Sequence, residues 1–361
     1  MFWKKFFLIC LFMFFVVGCG SNLSKQPNTA TTNRTKIPFV VLLEDLSKSQ
    51  TGTDKAMVCW FDLSSGKVAV EKKSLFERRA NGEFNFRMVW DGGKNVLLKA
   101  TPFRGSSISM GSFSSDYHIR ELKMNQSRDP LVIRNSDTLT TVYSEKNQIV
   151  VEYENGKKRR ISLPESHKVI IPYPLLVFGD DKNYQVLVTF NTSSTETKGL
   201  VVGKLLLAVV TDTCVDWKEV SGEYCSFIAD AGSSVAKYGN QIFITACGEV
   251  KVLDLNKEKL MLENNKPIND VLSSVKNKFQ EAIIDPVFGT YKDYLLVTAQ
   301  SSEEKWLWFF NKGDYIGRVL IDNNNSRIET SISGLTSYEA LPGKPTYDTL
   351  QLPINLYGSW K

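Results

Sequence analysis

Short runs of apolar residues recur along most of the chain, separated by clusters of Gly, Asn, Asp and Lys. Val58-Cys59-Trp60-Phe61, Phe243-Ile244-Thr245-Ala246-Cys247 and Trp306-Leu307-Trp308-Phe309-Phe310 are representative. Helical spacing is nearly absent, and β-branched and aromatic residues bounded by turn formers are what strands require. The pattern predicts an all-β body. One stretch departs from it: Val271, Leu272, Val275, Phe279 and Ile283 fall at helical spacing, with Pro267 before them and Pro286 after. A helix over about residues 268–283 is expected there, capped by Asn269 and laying its apolar stripe on the strands.

Two units repeat within the strand pattern. In the first, an aromatic residue precedes a polar turn and an apolar run, as in Trp90 to Leu98, Tyr143 to Val151, Phe178 to Val188, Tyr238 to Ile244 and Tyr291 to Val297. The second is a strand, a turn holding Gly or Lys, and a returning strand, as in Val58 to Val68, Lys251 to Leu260 and Trp306 to Gly317. These strings resemble the outer hairpins of β-propeller blades, and the resemblance spans about residues 37 to 361 without pointing to a named propeller family. At roughly 45 residues per blade it implies a β-propeller of about seven blades, with six or eight as neighbours. Ile37 to Leu43 is then expected to pair with a strand near Tyr347 to Leu352, which closes the ring and removes the open edges. Tandem β-sandwiches are the alternative, but no Pro- or Gly-rich linker divides the body.

The first residues follow a different logic. Lys4 and Lys5 precede a twelve-residue uncharged run, Phe6 to Val17, which ends at Gly18-Cys19. Charge, apolar core and small residue is the order of an export signal, and a stable membrane span needs roughly 20 residues. Val16-Val17-Gly18-Cys19 resembles the lipobox of bacterial lipoproteins. That resemblance implies a signal peptide over residues 1–18, cleavage between Gly18 and Cys19, and a lipidated Cys19, with diacylglycerol on the thiol and acylation (palmitate or similar) at the new amino terminus. Two or three acyl chains, at about 0.8 kcal/mol per buried methylene, anchor a protein stably where one does not. Residues 20–36 are polar with a single Leu, too apolar-poor to order themselves, so residues 19–36 form the lipidated Cys and a flexible tether. The expected location is the extracytoplasmic side of a cell membrane. Gly20, next to the lipidated Cys, is not the Asp that resembles the inner-membrane retention signal of Gram-negative bacteria, which leaves a Gram-positive surface or an outer membrane, and the Asn- and Lys-rich style favours the former.

Charge narrows the partners. The formal charge is +5, and loss of Lys4 and Lys5 leaves +3, dispersed rather than clustered. The densest basic run, Lys157-Lys158-Arg159-Arg160, follows the turn pair Asn155-Gly156 and reads as a solvated hairpin strand rather than an anion site. Nucleic acid is not an expected partner. Among the six cysteines, Cys10 leaves with the signal and Cys19 takes lipid, so Cys59, Cys214, Cys225 and Cys247 remain. Four thiols outside the cytoplasm permit two disulfides in three connectivities. Cys214 and Cys225 flank Val215 to Tyr224, which could fold as a hairpin turning at Ser221-Gly222 and join the two sulfurs. Cys59 and Cys247 sit in apolar runs, where a buried free thiol is the ordinary outcome.

Little else carries chemistry. There is no Cys-x-x-Cys, only His118 and His167 exist, and no Gly-x-Ser-x-Gly or phosphate loop occurs, so no metal or other cofactor is expected. Asp180-Asp181 and Glu303-Glu304 are acid pairs in polar turns, and adjacent residues of an extended chain point to opposite sides. Trp306 and Trp308 share one strand face and Leu307 and Phe309 the other, the pattern of a strand buried between blades rather than of a sugar platform. Two readings follow. The chain is a non-catalytic binding or scaffolding module for an envelope protein, peptide or glycan, or else an extracytoplasmic hydrolase or lyase with carboxylates gathered at the propeller channel. The scarcity of His and of nucleophile motifs favours the first.

Overall fold

The computed structural model describes residues 35–353 apart from 46–52, 80–83, 91–94, 103–115, 117, 124–130, 136–137, 154, 168–171, 181, 192–199, 228–234, 247, 279–285 and 302. The chain divides into Met1–Thr35 and Lys36–Lys361, and the described residues belong almost wholly to the second unit.

Among the described residues, twenty-five strands and one α-helix follow one another. Blade 1 holds β1 (Lys36–Asp45), β2 (Thr53–Asp62) and β3 (Lys67–Arg79). Blade 2 holds β4 (Phe84–Trp90), β5 (Asn95–Pro102) and β6 (His118–Lys123), the last parallel to its neighbour. Blade 3 is β7 (Leu131–Asn135), β8 (Thr138–Glu145), β9 (Gln148–Tyr153) and β10 (Lys158–Ser162). Blade 4 is β11 (Pro172–Gly179), β12 (Tyr184–Asn191), β13 (Leu200–Val210) and β14 (Val215–Phe227). Blade 5 is β15 (Val235–Tyr238), β16 (Gln241–Ala246), β17 (Glu249–Asp254) and β18 (Leu262–Asn264), followed by α1 (Lys266–Lys278). Blade 6 has six strands: β19 (Val287–Tyr291), β20 (Tyr294–Gln300), β21 (Glu304–Asn311), β22 (Asp314–Asp322), β23 (Arg327–Ile332) and β24 (Leu335–Ala340). β25 (Lys344–Gln351) then returns to pair antiparallel with β1, Val40 opposite Gln351 and Glu44 opposite Lys344, so blade 1 is built from both ends of the unit. This is the expected closure.

The position of the core identifies the architecture. Val142, Val151 and Ile161 of blade 3 pack with Val186, Val188 and Ala208 of blade 4. The other faces of β12 and β13, through Leu187, Leu205 and Leu207, meet Ile242, Ile244 and Leu253 of blade 5. Blade 5 meets blade 6 through Phe243 and Val250 against Trp306 and Trp308, and blade 6 meets blade 1 through Leu307 and Phe309 against Phe39 and Phe61. Blades 4, 5 and 6 are thus each buried on both faces by their neighbours, whereas a sandwich leaves each sheet one solvated face. The fold is all-β and propeller-like. Six sheets are described, within the expected range, because β23 and β24 extend blade 6 instead of starting another.

Alternation explains the burial of β21. Trp306, Trp308 and Phe310 face blade 5, Leu307 and Phe309 face blade 1, and all five are buried. Phe309 stacks on Phe61 with ring centroids 4.8 Å apart, joining the two blades that close the ring. The side of β21 facing blade 1 also carries Lys305, which is 0% exposed and donates from Nζ to the Thr346 carbonyl of β25.

The helix starts earlier than the periodicity predicts. Asn265 is its cap, accepting from the Ile268 N–H at 3.1 Å, and Pro267 fits the first turn, where its missing N–H costs nothing. Asn269 has a different role: its side chain accepts from the Val250 N–H and donates to the Val250 carbonyl, at 2.8 and 2.9 Å, mimicking a strand on the edge of β17. The helix is assigned to Lys278, and the expected continuation to 283 lies outside the described residues. Ile268, Leu272 and Val275 are buried among Trp306 and its neighbours, as the apolar stripe requires.

Candidate functional site

Most blades are up-and-down meanders, so the turns joining first to second and third to fourth strands emerge on one face. Three of those turns are short. Gly239-Asn240, Lys292-Asp293 and Lys312-Gly313 are two-residue hairpin tips, and Gly239, Lys292, Lys312 and Gly313 all have positive φ. Tyr238 ties three of the turns together. Its hydroxyl donates to the Asp293 carbonyl at 2.6 Å and accepts from the Lys312 N–H at 2.9 Å, bridging blade 5 to two turns of blade 6 on this face.

The first strands of successive blades lie against one another, β7 on β11, β11 on β15 and β15 on β19, and so form the inner layer. Across the six first strands (β25, β4, β7, β11, β15 and β19), Asp348 is the only acid. Asp180, Glu303 and Asp62 lie in turns or at a strand end instead. Asp180 accepts from the N–H groups of Lys182 and Asn183 at 2.9 and 2.7 Å, closing a turn, and Asp181 lies outside the described residues. Glu303 and Glu304 donate their backbone N–H groups to Ser301 Oγ in another turn. Asp62 accepts from the Ser64 hydroxyl at 2.6 Å and from the Ser64 N–H at 2.9 Å, and that hydroxyl above all holds the carboxyl below its ordinary pKa. No group of three or more His, Cys, Asp or Glu side chains is placed to hold a metal among the described residues.

The basic run Lys157–Arg160 sits on β10 and the turn before it, as a hairpin strand, and much of its charge is met across the sheet. Lys158 is 3.1 Å from Glu152 and donates to the Tyr143 hydroxyl at 3.1 Å, while Arg160 is 3.1 Å from Glu145. Pairs this exposed contribute little stability, but they leave little positive potential for an anion.

The anchor residues Gly18 and Cys19 lie outside the described residues. The expected Cys214–Cys225 disulfide is not formed: Cys214 is an exposed free thiol. Its flanking segment is one strand, β14, rather than a hairpin. Ser221 and Gly222 form a bulge in it, where the register jumps between Leu205 opposite Val220 and Gly203 opposite Tyr224. The Ser221 N–H is thereby turned to the Leu260 carbonyl of blade 5 at 2.9 Å. Eleven positions along one strand separate the two cysteines by on the order of 30 Å, against a Cα separation limit of about 7 Å for a disulfide. Cys59 is buried and free, as expected, and burial pushes its thiol pKa well above the ordinary range.

The most exposed apolar surface among the described residues lies on the outer rim of blade 6. Leu335 and Tyr338, each 61% exposed, are on β24, and Tyr315 is half-exposed at the start of β22. Arg327 lies over the Tyr338 ring, 5.4 Å from its centroid, and is 3.4 Å from Asp322. The β23–β24 hairpin is fastened to blade 1 where Thr330 and Ser337 donate to the Gly66 carbonyl, Ser337 at 2.7 Å; Leu335 alternates onto the same strand face as Ser337 and Tyr338 onto the opposite one. Sequence reasoning missed this rim. Its signal is the run Leu335-Thr-Ser-Tyr-Glu-Ala340, which lacks the apolar runs of strands such as β20 and β21.

The class defined by these observations is an all-β, propeller-like protein with an inner layer poor in carboxylates and an apolar outer rim. No family model matches the chain, and no curated protein matches it. Among solved structures, the apo form of AztD from Citrobacter koseri aligns over 86% of this chain and 96% of that one, at 10% identity and a TM-score of 0.31. That likeness is too remote to bear on what this chain binds.

Proposed function

We propose that this protein is a lipoprotein held on the extracytoplasmic side of a cell membrane through lipid on Cys19, and that its body is a non-catalytic binding or scaffolding module for an envelope protein, peptide or glycan. The anchor rests on Lys4-Lys5, the apolar run to Val17 and the string Val16-Val17-Gly18-Cys19. The observation that carries the binding reading is the composition of the six first strands, where Asp348 is the only acid. A hydrolase or lyase of glycans working across the inner layer needs two carboxyl groups facing each other over the substrate. Among the described residues, no helix is long and apolar enough to cross a membrane.

Two measurements test the reading separately. Metabolic labelling with an alkynyl fatty acid is expected to mark the chain and to be lost in Cys19→Ala, whose precursor keeps its signal; normal labelling of that variant overturns the anchor. Crosslinking in intact cells followed by mass spectrometry is expected to give a recurrent envelope partner. Turnover of a glycan or peptide substrate by the purified chain would instead make it an enzyme.

A further inference from the structure

Lys158 and Arg160 meet Glu152 and Glu145 on the outward side of β10. Arg159 alternates to the other side of the strand, on which Ile161 packs against blade 4. It is half-buried there, and among the described residues no carboxylate pairs with it. A guanidinium does not shed its proton in a protein, so this cation keeps its charge and its five donors in the seam. Two phenols lie beside it. Tyr153 ends β9 on the same face as Arg159, half-buried against the core that blades 3 and 4 share. Tyr184 opens β12 across the seam and is 2% exposed, and its hydroxyl is buried without a hydrogen-bond partner. Arg159 and Tyr153 are the polar groups that act on that hydroxyl, yet neither completes a bond to it.

We infer that Arg159, Tyr153 and Tyr184 form a subsite for an oxyanion, the phosphate or carboxylate group of a ligand, in the seam between blades 3 and 4. All three side chains can donate, and a shared negatively charged oxygen is the acceptor that satisfies them together. Burial, before any other cause, pushes the Tyr184 phenol well above its ordinary pKa, so its hydroxyl stays protonated and able to donate. A buried hydroxyl left unpaired costs stability, and an acceptor brought into the seam recovers it. Arg159 lies on the outermost strand of its blade, so its side chain is the wall that an anion entering from the rim draws aside. The outward side of the basic run offers an anion nothing comparable, since its cations already face acids. The subsite stands whether or not Cys19 carries lipid and whether or not the body has a protein partner.

The test is thermal unfolding and calorimetric titration of the full chain in chloride, inorganic phosphate and acetate at equal ionic strength. In chloride, Tyr184→Phe is expected to unfold at or above the parent's midpoint, because it deletes an unpaired buried hydroxyl. Phosphate or acetate is expected to raise the midpoint of the parent more than that of Tyr184→Phe. Binding should be about tenfold weaker in that variant, the worth of one hydrogen bond to a charged group. Arg159→Gln is expected to abolish the anion response, whereas Lys158→Gln, on the outward side, leaves it intact. A response to phosphate alone assigns the ligand's group to a phosphate, a response to acetate alone to a carboxylate, and a response to both to oxyanions of either kind. No response beyond that in chloride, or equal responses in the parent, Tyr184→Phe and Arg159→Gln, overturns the subsite. So does a Tyr184→Phe variant less stable than the parent in chloride, which would show that the hydroxyl already has its partner.

Discussion

The Tyr238 hydroxyl donates to the Asp293 carbonyl oxygen at 2.6 Å, so an aromatic side chain at the end of the first strand of blade 5 fastens the first hairpin of blade 6. The same oxygen accepts from the Lys312 N–H at 2.9 Å. Tyr238→Phe removes both hydrogen bonds and keeps the ring packing on Phe243. The expected loss is about 1 kcal/mol, because the freed backbone groups lie near the surface and water can satisfy them. A lower urea midpoint with an unchanged m-value checks it. An unchanged midpoint would mean that the bridge adds nothing to stability.

Gly66 has a φ of +66°, and a Cβ added there would stand 2.7 Å from Ile332 Cγ2. Its carbonyl is also where Thr330 and Ser337 fasten the outer hairpin of blade 6 onto blade 1. Gly66→Ala is therefore opposed by backbone strain and by a clash at the ring-closing seam, and is expected to cost about 1–3 kcal/mol. Thr330→Val keeps the shape and removes one donor, so its cost is expected to be smaller. Thermal unfolding of the two variants beside the parent ranks them. A Gly66→Ala variant as stable as the parent would show that Ile332 moves aside freely.

The repeat units show how far sequence reaches into this fold. Val58 to Val68, Lys251 to Leu260 and Trp306 to Gly317 all cross the turn from third to fourth strand of their blades, because that turn needs its Asp, Gly or Lys wherever it occurs. The aromatic units are less uniform. Four cross the first-to-second turn, whereas Tyr143 to Val151 crosses the second-to-third, so their uneven spacing mixed two positions. Both apolar faces of β21 were legible from alternation alone. The Ser221-Gly222 bulge was not, since a bulge and a hairpin tip ask for the same small residues and only the register with β13 separates them. Asn269 misled for a similar reason: an Asn side chain suits a helix cap, yet here it completes a strand edge. The exposure of Leu335 and Tyr338 on β24 depends on how whole blades pack, which no local pattern records.

Asp62 gives an acid-side prediction. The Ser64 hydroxyl, with backbone N–H groups beside it, keeps the folded-state pKa of its carboxyl below the ordinary value, while burial works against it. A carboxyl lowered on folding adds stability above its unfolded pKa, near 4, and that contribution fades as pH falls through the folded value. Asp62→Asn retains an oxygen for the turn and removes the titration. The parent should exceed the variant in urea resistance at pH 7, and the gap should close as the pH is lowered below about 4. A gap independent of pH would assign the difference to geometry instead of charge.

The two described thiols should behave as opposites. Only the thiolate attacks a maleimide, and access matters as much as ionisation. Cys214 is exposed in the turn before β14, with its sulfur 3.1 Å from Thr211 Oγ1. Cys59 is fully buried in the core between blades 1 and 6, and burial first, with the charge of Glu71 after it, raises its pKa far above that of a free thiol. In the folded protein Cys214 is expected to label promptly. Cys59 should label only as fast as the seam between blades 1 and 6 opens, so its rate reports on ring opening and should rise in Gly66→Ala. Mass spectrometry of the alkylated peptides over time separates the two sites. Labelling of Cys59 at the rate of Cys214 would mean that the closing seam is open to solvent, against the packing of Phe61 on Phe309 that the fold rests on.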